Sequence, residues 1–390
     1  MSRKHSENIQ PLPVMVYFLT ILMLCITGLA VSAYLSFSHY RVYTDIGYKS
    51  FCAISKAINC DTVSQSSYSI FMGIPVPIWG VAGYVFMLIT ILFSLNIKEK
   101  KMRLLSTLVL TAFIFSLISL YLGIISAVKI HSYCIMCIVT YAVNFTLLYM
   151  FWLVKRRFEN NNFIESLKLD FIFWKTVKTK ALCAYLAFTI VSLAAAFFLP
   201  RYWRFSFSRN TVQLNTGVTE DGSPWIGAEH PELTIVEYSD YMCFQCRKMH
   251  FFLRNLMDRF PKKIRVVHKH FPMDKRFDPV LKENLHPGSG ILSLIAIYAA
   301  TRNKFWKVDD FLYHYNMSNH AIYLRQIAEK TGLDLNLLKT GIHQPEIIQK
   351  LRRDIISGLK KNITGTPSYI INGKVYTGQI PAEILSSIIK

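Results

Sequence analysis

Five stretches of the chain lack Asp, Glu, Lys and Arg for long enough to cross a bilayer: Pro11–Phe37, Ile70–Ile97, Leu104–Val128, Ser132–Val154 and Ala181–Pro200. A helix rises about 1.5 Å per residue, so about 20 apolar residues span a hydrocarbon core of about 30 Å. The pattern therefore predicts five membrane-spanning helices. The first run is too long for a signal-peptide core and has no clear small-residue cleavage site, so it reads as a retained helix. After Pro200 the pattern changes. Leu233–Asp240 is rich in β-formers and reads as a strand, and Arg247–Phe260 is amphipathic and reads as a helix. Helical patterns recur at Ser293–Thr301 and Ala321–Lys330, and Asn372-Gly373 marks a hairpin turn.

Charge orients the spans. With the N-terminus inside, Met1–Gln10, Lys98–Arg103 and Lys155–Lys180 carry 13 Lys and Arg, against 4 in the outer loops Ser38–Ser69 and Lys129–His131. Basic residues collect on the cytoplasmic side of membrane proteins, so this orientation is favoured. Five spans then put everything after Pro200 outside. The basic Arg201, Arg204 and Arg209 run against this locally, but long translocated segments are weakly constrained by such charge. The net charge of +20 does not signify nucleic acid, because much of it lies in these short loops. Val154–Lys180 is basic and includes Phe171 and Trp174, as a surface-lying amphipathic linker would, although a plain connector fits as well.

The eight cysteines divide by position. Cys25 and Cys183 lie within apolar runs and read as small buried hydrophobes. The other six form three pairs, Cys52 with Cys60, Cys134 with Cys137, and Cys243 with Cys246, all on the outer side, where disulfides persist. A strand feeding a CxxC at a helix start puts the first cysteine at the positive end of the helix dipole, which favours its thiolate. The second cysteine, one turn on, can attack a mixed disulfide formed at the first. At the mouth of the fourth span, Cys134 and Cys137 share a helix face with Tyr141 and Asn144. A dithiol above a tyrosine and an amide suits an amphipathic acceptor such as a quinone, whose carbonyl either group could hydrogen-bond. Taken singly, Tyr141 reads as an interfacial anchor and Asn144 as an interhelix bond.

Two resemblances follow. From about residue 215 to 390, the strand, the Cys243-Phe-Gln-Cys246 helix start and Gly365-Thr366-Pro367-Ser368 before the hairpin resemble the DsbA branch of the thioredoxin superfamily. The resemblance implies a substrate-binding cis-proline loop at Thr366 and Pro367, and a helical insertion between Pro272 and that loop. Strong oxidants of the family carry Pro-His between the cysteines. Phe244-Gln245 here implies a higher thiol pKa and a weaker oxidant. Residues 10–155 resemble the vitamin K epoxide reductase family: Cys52-x7-Cys60, the serine-rich segment before Gly73-Ile-Pro75, and Cys134-x-x-Cys137 followed by Ile-Val-Thr-Tyr141-Ala-Val-Asn144. That family implies electron transfer from the loop pair to the CxxC pair and on to a quinone. By position, Cys137 would face the quinone and Cys134 would exchange with the loop, with Ser67 or its neighbours, Tyr141 and Asn144 at the pocket. Tyr68 stands where the animal members carry a quinone-contacting asparagine, so vitamin K epoxide is not the implied substrate.

The expected fold is an α-helical membrane bundle, a four-helix core plus a fifth linking transmembrane helix, followed by an α/β thioredoxin-like domain with a helical insertion. The expected domains are 1–155, a quinone-reducing membrane domain; 156–210, a cytoplasmic linker and the fifth span; and 211–390, an extracytoplasmic domain. The expected function is disulfide formation in exported proteins at a bacterial cytoplasmic membrane. Electrons would pass from substrate thiols through Cys243/Cys246, Cys52/Cys60 and Cys134/Cys137 to ubiquinone or menaquinone, with no metal or nucleic acid. Two alternatives stay open. The soluble domain could act as an isomerase or reductase, or Cys52, Cys60, Cys134 and Cys137 could form a tetrahedral zinc site.

Overall fold

The computed structural model describes residues 13–55, 57–96, 101–102, 104–159, 161–176, 188, 201–205, 213–281, 283–315 and 324–389. The fifth predicted span, Ala181–Pro200, lies outside them apart from Phe188, and with it Cys183. The chain divides into two compact units, Met1–Thr44 with Lys49–Arg201, and Asp45–Tyr48 with Tyr202–Lys390.

Among the described residues, four helices of the first unit are long and apolar enough to cross a membrane: α1 (Val14–Thr44), α3 (Val76–Ser94), α4 (Leu105–Ile125, continued by a π turn to Ile130) and α5 (Ile135–Phe158). The short α2 (Cys60–Gln65) precedes α3. The boundaries differ from the apolar runs. Helix α1 continues past Phe37 because His39, Val42 and Tyr43 on its last turns are buried. Helix α3 starts late because a tight hairpin, Ile70 and Phe71 paired with Pro75 and Ile74, uses the start of the run. Helix α1 packs on α3 and α5, and α4 on α5, around a core that includes Ile21, Tyr84, Met87, Leu108, Leu147 and Phe151. At Gly28 the close approach requires glycine, since a Cβ there would collide with the Tyr84 ring. Within the basic segment after the fourth span, α6 (Phe163–Thr176) packs against α4. Asp170 accepts the backbone N–H and the hydroxyl of Thr107, at 2.9 and 3.0 Å, in the first turn of α4.

The second unit is built on a six-stranded sheet. Its strands are β1 (Asn215–Val218), β2 (Pro224–Gly227), β3 (Leu233–Ser239), β4 (Ile264–His270), β5 (Ser368–Ile371) and β6 (Lys374–Thr377), in the order β6-β5-β3-β4-β2-β1. Only β3 and β4 run parallel, with Leu233 opposite Ile264 and Ser239 opposite His270. Helix α7 (Phe244–Arg259) is their crossover, as a parallel pair requires. Strands β5 and β6 form a two-residue hairpin with Asn372 and Gly373 both at positive φ, 50° and 76°, the signature of a type I′ turn. Between β4 and β5 come α8 (Ser289–Ala300), α9 (Phe305–His314), α10 (Leu324–Thr331), α11 (Leu335–Gly341) and α12 (Pro345–Leu359); α13 (Ala382–Ile389) closes the unit. The architecture is thus a helical apolar bundle followed by an α/β domain with a helical insertion.

Candidate functional site

In the first unit four cysteines meet. Cys52 and Cys60 are joined by a disulfide with Cα atoms 5.6 Å apart. Both are buried in one apolar cluster with Cys134 and Leu35, against which Cys137 also packs. Backbone pairing brings them there. Tyr133 N–H donates to Ala57 O at 2.7 Å, and Asn59 N–H donates to Tyr133 O at 2.9 Å. The Asn59 side chain then caps α2, accepting from Asp61 and Thr62 N–H at 3.0 and 3.1 Å. Cys60 is therefore delivered at a fixed point beside the start of α5. Cys134 is the N-cap of that helix, and its Sγ accepts the Cys137 N–H at 3.2 Å.

Below this junction is a cavity of about 170 Å³. Cys137, Tyr141, Asn144, Ser119 and Tyr84 line one part of it, and Trp79, Phe115, Ile118 and Leu122 are among its apolar wall. Asn144 is buried, accepts from Tyr84 Oη at 2.6 Å and donates to Ser119 Oγ at 2.8 Å. It ties three helices together, and one of its two N–H donors is used in doing so. Of the residues expected at the pocket, Tyr141 and Asn144 line the cavity and Ser67 does not. Its neighbours Ser66, Tyr68 and Ser69, on or beside the 3₁₀ turn Ser67–Ser69, line the cavity instead. Sequence reading missed His39, which lines the cavity 3.3 Å from Ser69 Oγ. It lies far from every motif in the chain, and only the packing of α1 shows it.

In the second unit Cys243 is the N-cap of α7, with its Sγ accepting the Cys246 N–H at 3.4 Å. Its thiol also points at Thr366 O, 3.4 Å away, next to the cis Thr366–Pro367 bond. The side chain of Gln245 reaches Gly378 O at 3.3 Å. Both cysteines are free and buried. The Cys243 thiol nevertheless lies below the ordinary thiol value. The hydrogen bond from Cys246 outweighs burial and, with the charge of His286, brings the Cys243 thiol down to about 7. Cys246 goes the other way, well above the ordinary thiol value, through burial and the neighbouring Cys243. The pair is thus split into an exchange-ready thiol and a protonated one.

Beyond Tyr241 lies a buried charged cluster. Tyr241 Oη donates to Asp309 at 3.0 Å, His268 is 2.9 Å from Glu237, and His250 is 3.1 Å from Asp310. His250, Asp309 and Asp310 lie close enough together to hold a metal ion, but Arg254 already bonds Asp310 at 2.5 Å and supplies the positive charge. The tetrahedral zinc alternative loses two of its four thiolates to the Cys52–Cys60 disulfide.

Comparison with known proteins agrees with this division. The model of the Vitamin K epoxide reductase family matches residues 19–152, and a Thioredoxin model matches residues 219–390. The chain therefore carries a vitamin K epoxide reductase family domain followed by a thioredoxin-like domain. Similar solved structures include a thioredoxin-like oxidoreductase from Silicibacter pomeroyi DSS-3, 22% identical over 44% of this chain and 91% of that one, with a TM-score of 0.35. Another is oxidised BdbD from Bacillus subtilis, 16% identical over 46% of this chain and 97% of that one, with a TM-score of 0.36. Curated relatives include the Na(+)/H(+) antiporter NhaA of Herminiimonas arsenicoxydans, 24% identical over 42% of this chain and 24% of its own length. NhaA 3 of Salinispora tropica is 24% identical over 46% of this chain and 26% of its own length. The chain spans about a quarter of the length of these curated relatives.

Proposed function

We propose that this chain forms disulfides in exported proteins and passes the electrons to a membrane quinone. The observation that carries the reading is the convergence of the Cys52–Cys60 disulfide, Cys134 and Cys137 beside a cavity that Cys137 and Tyr141 line. Two thiols of a substrate protein reduce the Cys243–Cys246 disulfide. The Cys243 thiolate then attacks the Cys52–Cys60 disulfide, and Cys246 resolves the mixed disulfide and leaves the loop pair reduced. The loop dithiol in turn reduces a Cys134–Cys137 disulfide. Each step breaks one S–S bond, forms another and expels a thiolate. The sum is protein dithiol plus quinone to protein disulfide plus quinol.

The cavity residues fit a quinone ring. A cavity of about 150 Å³ holds a benzene ring, and this one is of about 170 Å³. The Tyr141 hydroxyl or the second N–H of Asn144 would orient a carbonyl, and Cys137 would stand at the ring. A bound quinone accepts two electrons and two protons. Either ubiquinone or menaquinone has this head-group chemistry. The distribution of basic residues supports a cytoplasmic membrane location, with the N-terminus cytoplasmic, the thioredoxin-like domain outside, and the domains 1–155, 156–210 and 211–390 in that order. Purified chain supplied with a reduced unfolded protein and a short-chain quinone should yield quinol and protein disulfide in equal amounts. Turnover that survives Cys137→Ala would rule the relay out.

A further inference from the structure

His286 lies in the segment between β4 and α8, 43 residues after Cys243, where no sequence motif connects the two. The structure connects them through Asp240, the residue that follows β3. One carboxylate oxygen of Asp240 takes the Met242 N–H at 2.7 Å; the other takes the Met273 N–H at 2.6 Å and His286 Nδ1 at 3.0 Å. The backbone holds the same arrangement, since His286 N–H donates to Met273 O at 2.9 Å and Gly288 N–H to Asp274 at 2.9 Å. Asp240 O also accepts the Cys243 N–H at 3.1 Å. One aspartate therefore grips the CxxC turn and the histidine together.

We propose that His286, anchored by Asp240, supplies the positive charge that holds the Cys243 thiolate, in place of the histidine missing between Cys243 and Cys246. His286 acts on Cys243 through space and is a positioning residue for the thiolate. The groups acting on Cys243 are Cys246 from its own helix, Asp240 at the end of β3, and His286 on the loop. Tyr369 of β5 also lies within its field and stays neutral. The charge of His286 favours the Cys243 thiolate, and that of Asp240 opposes it. Burial works against a charge on His286, but Asp240 outweighs it and, with the Cys243 thiolate, brings the ring up to about 9. Thiolate and imidazolium therefore coexist between about pH 7 and about pH 9. Because the histidine sits on the loop and not in the CxxC, the thiolate depends on how that loop is seated.

The inference rests on Cys243 being the exchange thiol. Its test needs no quinone, so failed turnover with an unchanged Cys243 titration would remove the relay and leave His286 in its role. Two measurements on the full chain in detergent decide it. In the wild type with ¹³C-labelled histidine, the His286 resonance, assigned by its loss in His286→Asn, should titrate near 9 when the pair is reduced. Oxidation with excess glutathione disulfide turns the thiolate into a neutral S–S bond, and the midpoint should fall by the reciprocal of the effect on Cys243. An unchanged midpoint overturns the proposal. Second, alkylation of Cys243 by iodoacetamide, followed on its peptide by mass spectrometry, should titrate higher in His286→Asn and return toward the wild-type midpoint in His286→Lys. A nearby opposite charge is worth about 1–3 pKa units. Losing one unit reduces the thiolate fraction at pH 7 roughly fivefold. Equal midpoints in wild type and His286→Asn, or no recovery with lysine, also overturn it.

Discussion

The largest influence on Cys243 is the hydrogen bond from the Cys246 side chain, and removing that donor makes a quantitative prediction. The thiol drops from 9.0 to about 7, so at neutral pH about half of Cys243 is thiolate. Two units correspond to about 3 kcal/mol, and a hydrogen bond to a charged group contributes about 1.5–3 kcal/mol. That single bond can therefore account for most of the drop. Cys246→Ala should raise the Cys243 midpoint by one to two units (roughly), while Cys246→Ser, which keeps a hydroxyl donor, should hold it near the wild-type value. If the whole drop were lost, the thiolate fraction at pH 7 would fall about 50-fold. The rate falls less, because a higher pKa makes each thiolate more nucleophilic with a Brønsted slope of about 0.4–0.5. The midpoint of the pH profile is therefore the quantity to read, from iodoacetamide labelling of the reduced full chain. If Cys246→Ala titrates with the wild type, or Cys246→Ser shifts as far as alanine does, the hydrogen bond is not the cause.

Three further tests follow from other parts of the structure. Cys246→Ala should also accumulate a mixed disulfide from Cys243 to Cys52 or Cys60 in cells, seen as a cross-linked peptide; its absence under oxidising growth counts against the order of the relay. Gly28→Ala should cost about 1–3 kcal/mol by pushing the Tyr84 ring off Asn144, and the cost should shrink in a Tyr84→Ala background. The same thermal shift in both backgrounds would remove that contact as the cause. The low pKa of Cys243 should also make stability pH-dependent in the reduced protein. Relative to Cys243→Ser, the stabilisation should be complete above about pH 9 and lost as pH falls through about 7. A constant difference in melting temperature between those limits would contradict it.

Some of this was legible in the chain because the responsible interactions are local. The Asn372-Gly373 turn, the cysteine pairs and the long uncharged runs each carry their physics within a few residues. Helix ends were less legible, since α1 runs on to Thr44 through the burial of His39 and Tyr43, which depends on neighbours elsewhere in the chain. Within the serine-rich segment it is Ser66, Tyr68 and Ser69, the neighbours of Ser67, that line the cavity, a distinction that composition does not reveal. Asn144 was read as a pocket residue and, taken singly, as an interhelix bond, and its amide does tie Tyr84 to Ser119. The Cys243 pKa draws on groups both near and far, for Cys246 lies one turn on whereas His286 stands on a loop 43 residues away.

The pairing of Ala57 and Asn59 with Tyr133 is one of several ties on the loop disulfide. Cys60 follows a residue that is pinned by its backbone and also caps a helix, and beside Cys52 the Ser50 N–H donates to Asp61 at 3.0 Å and the Ala53 N–H to Ser50 O at 3.1 Å. In the proposed relay, opening the disulfide would leave Cys60 held beside the start of α5 by ties that do not involve its sulfur.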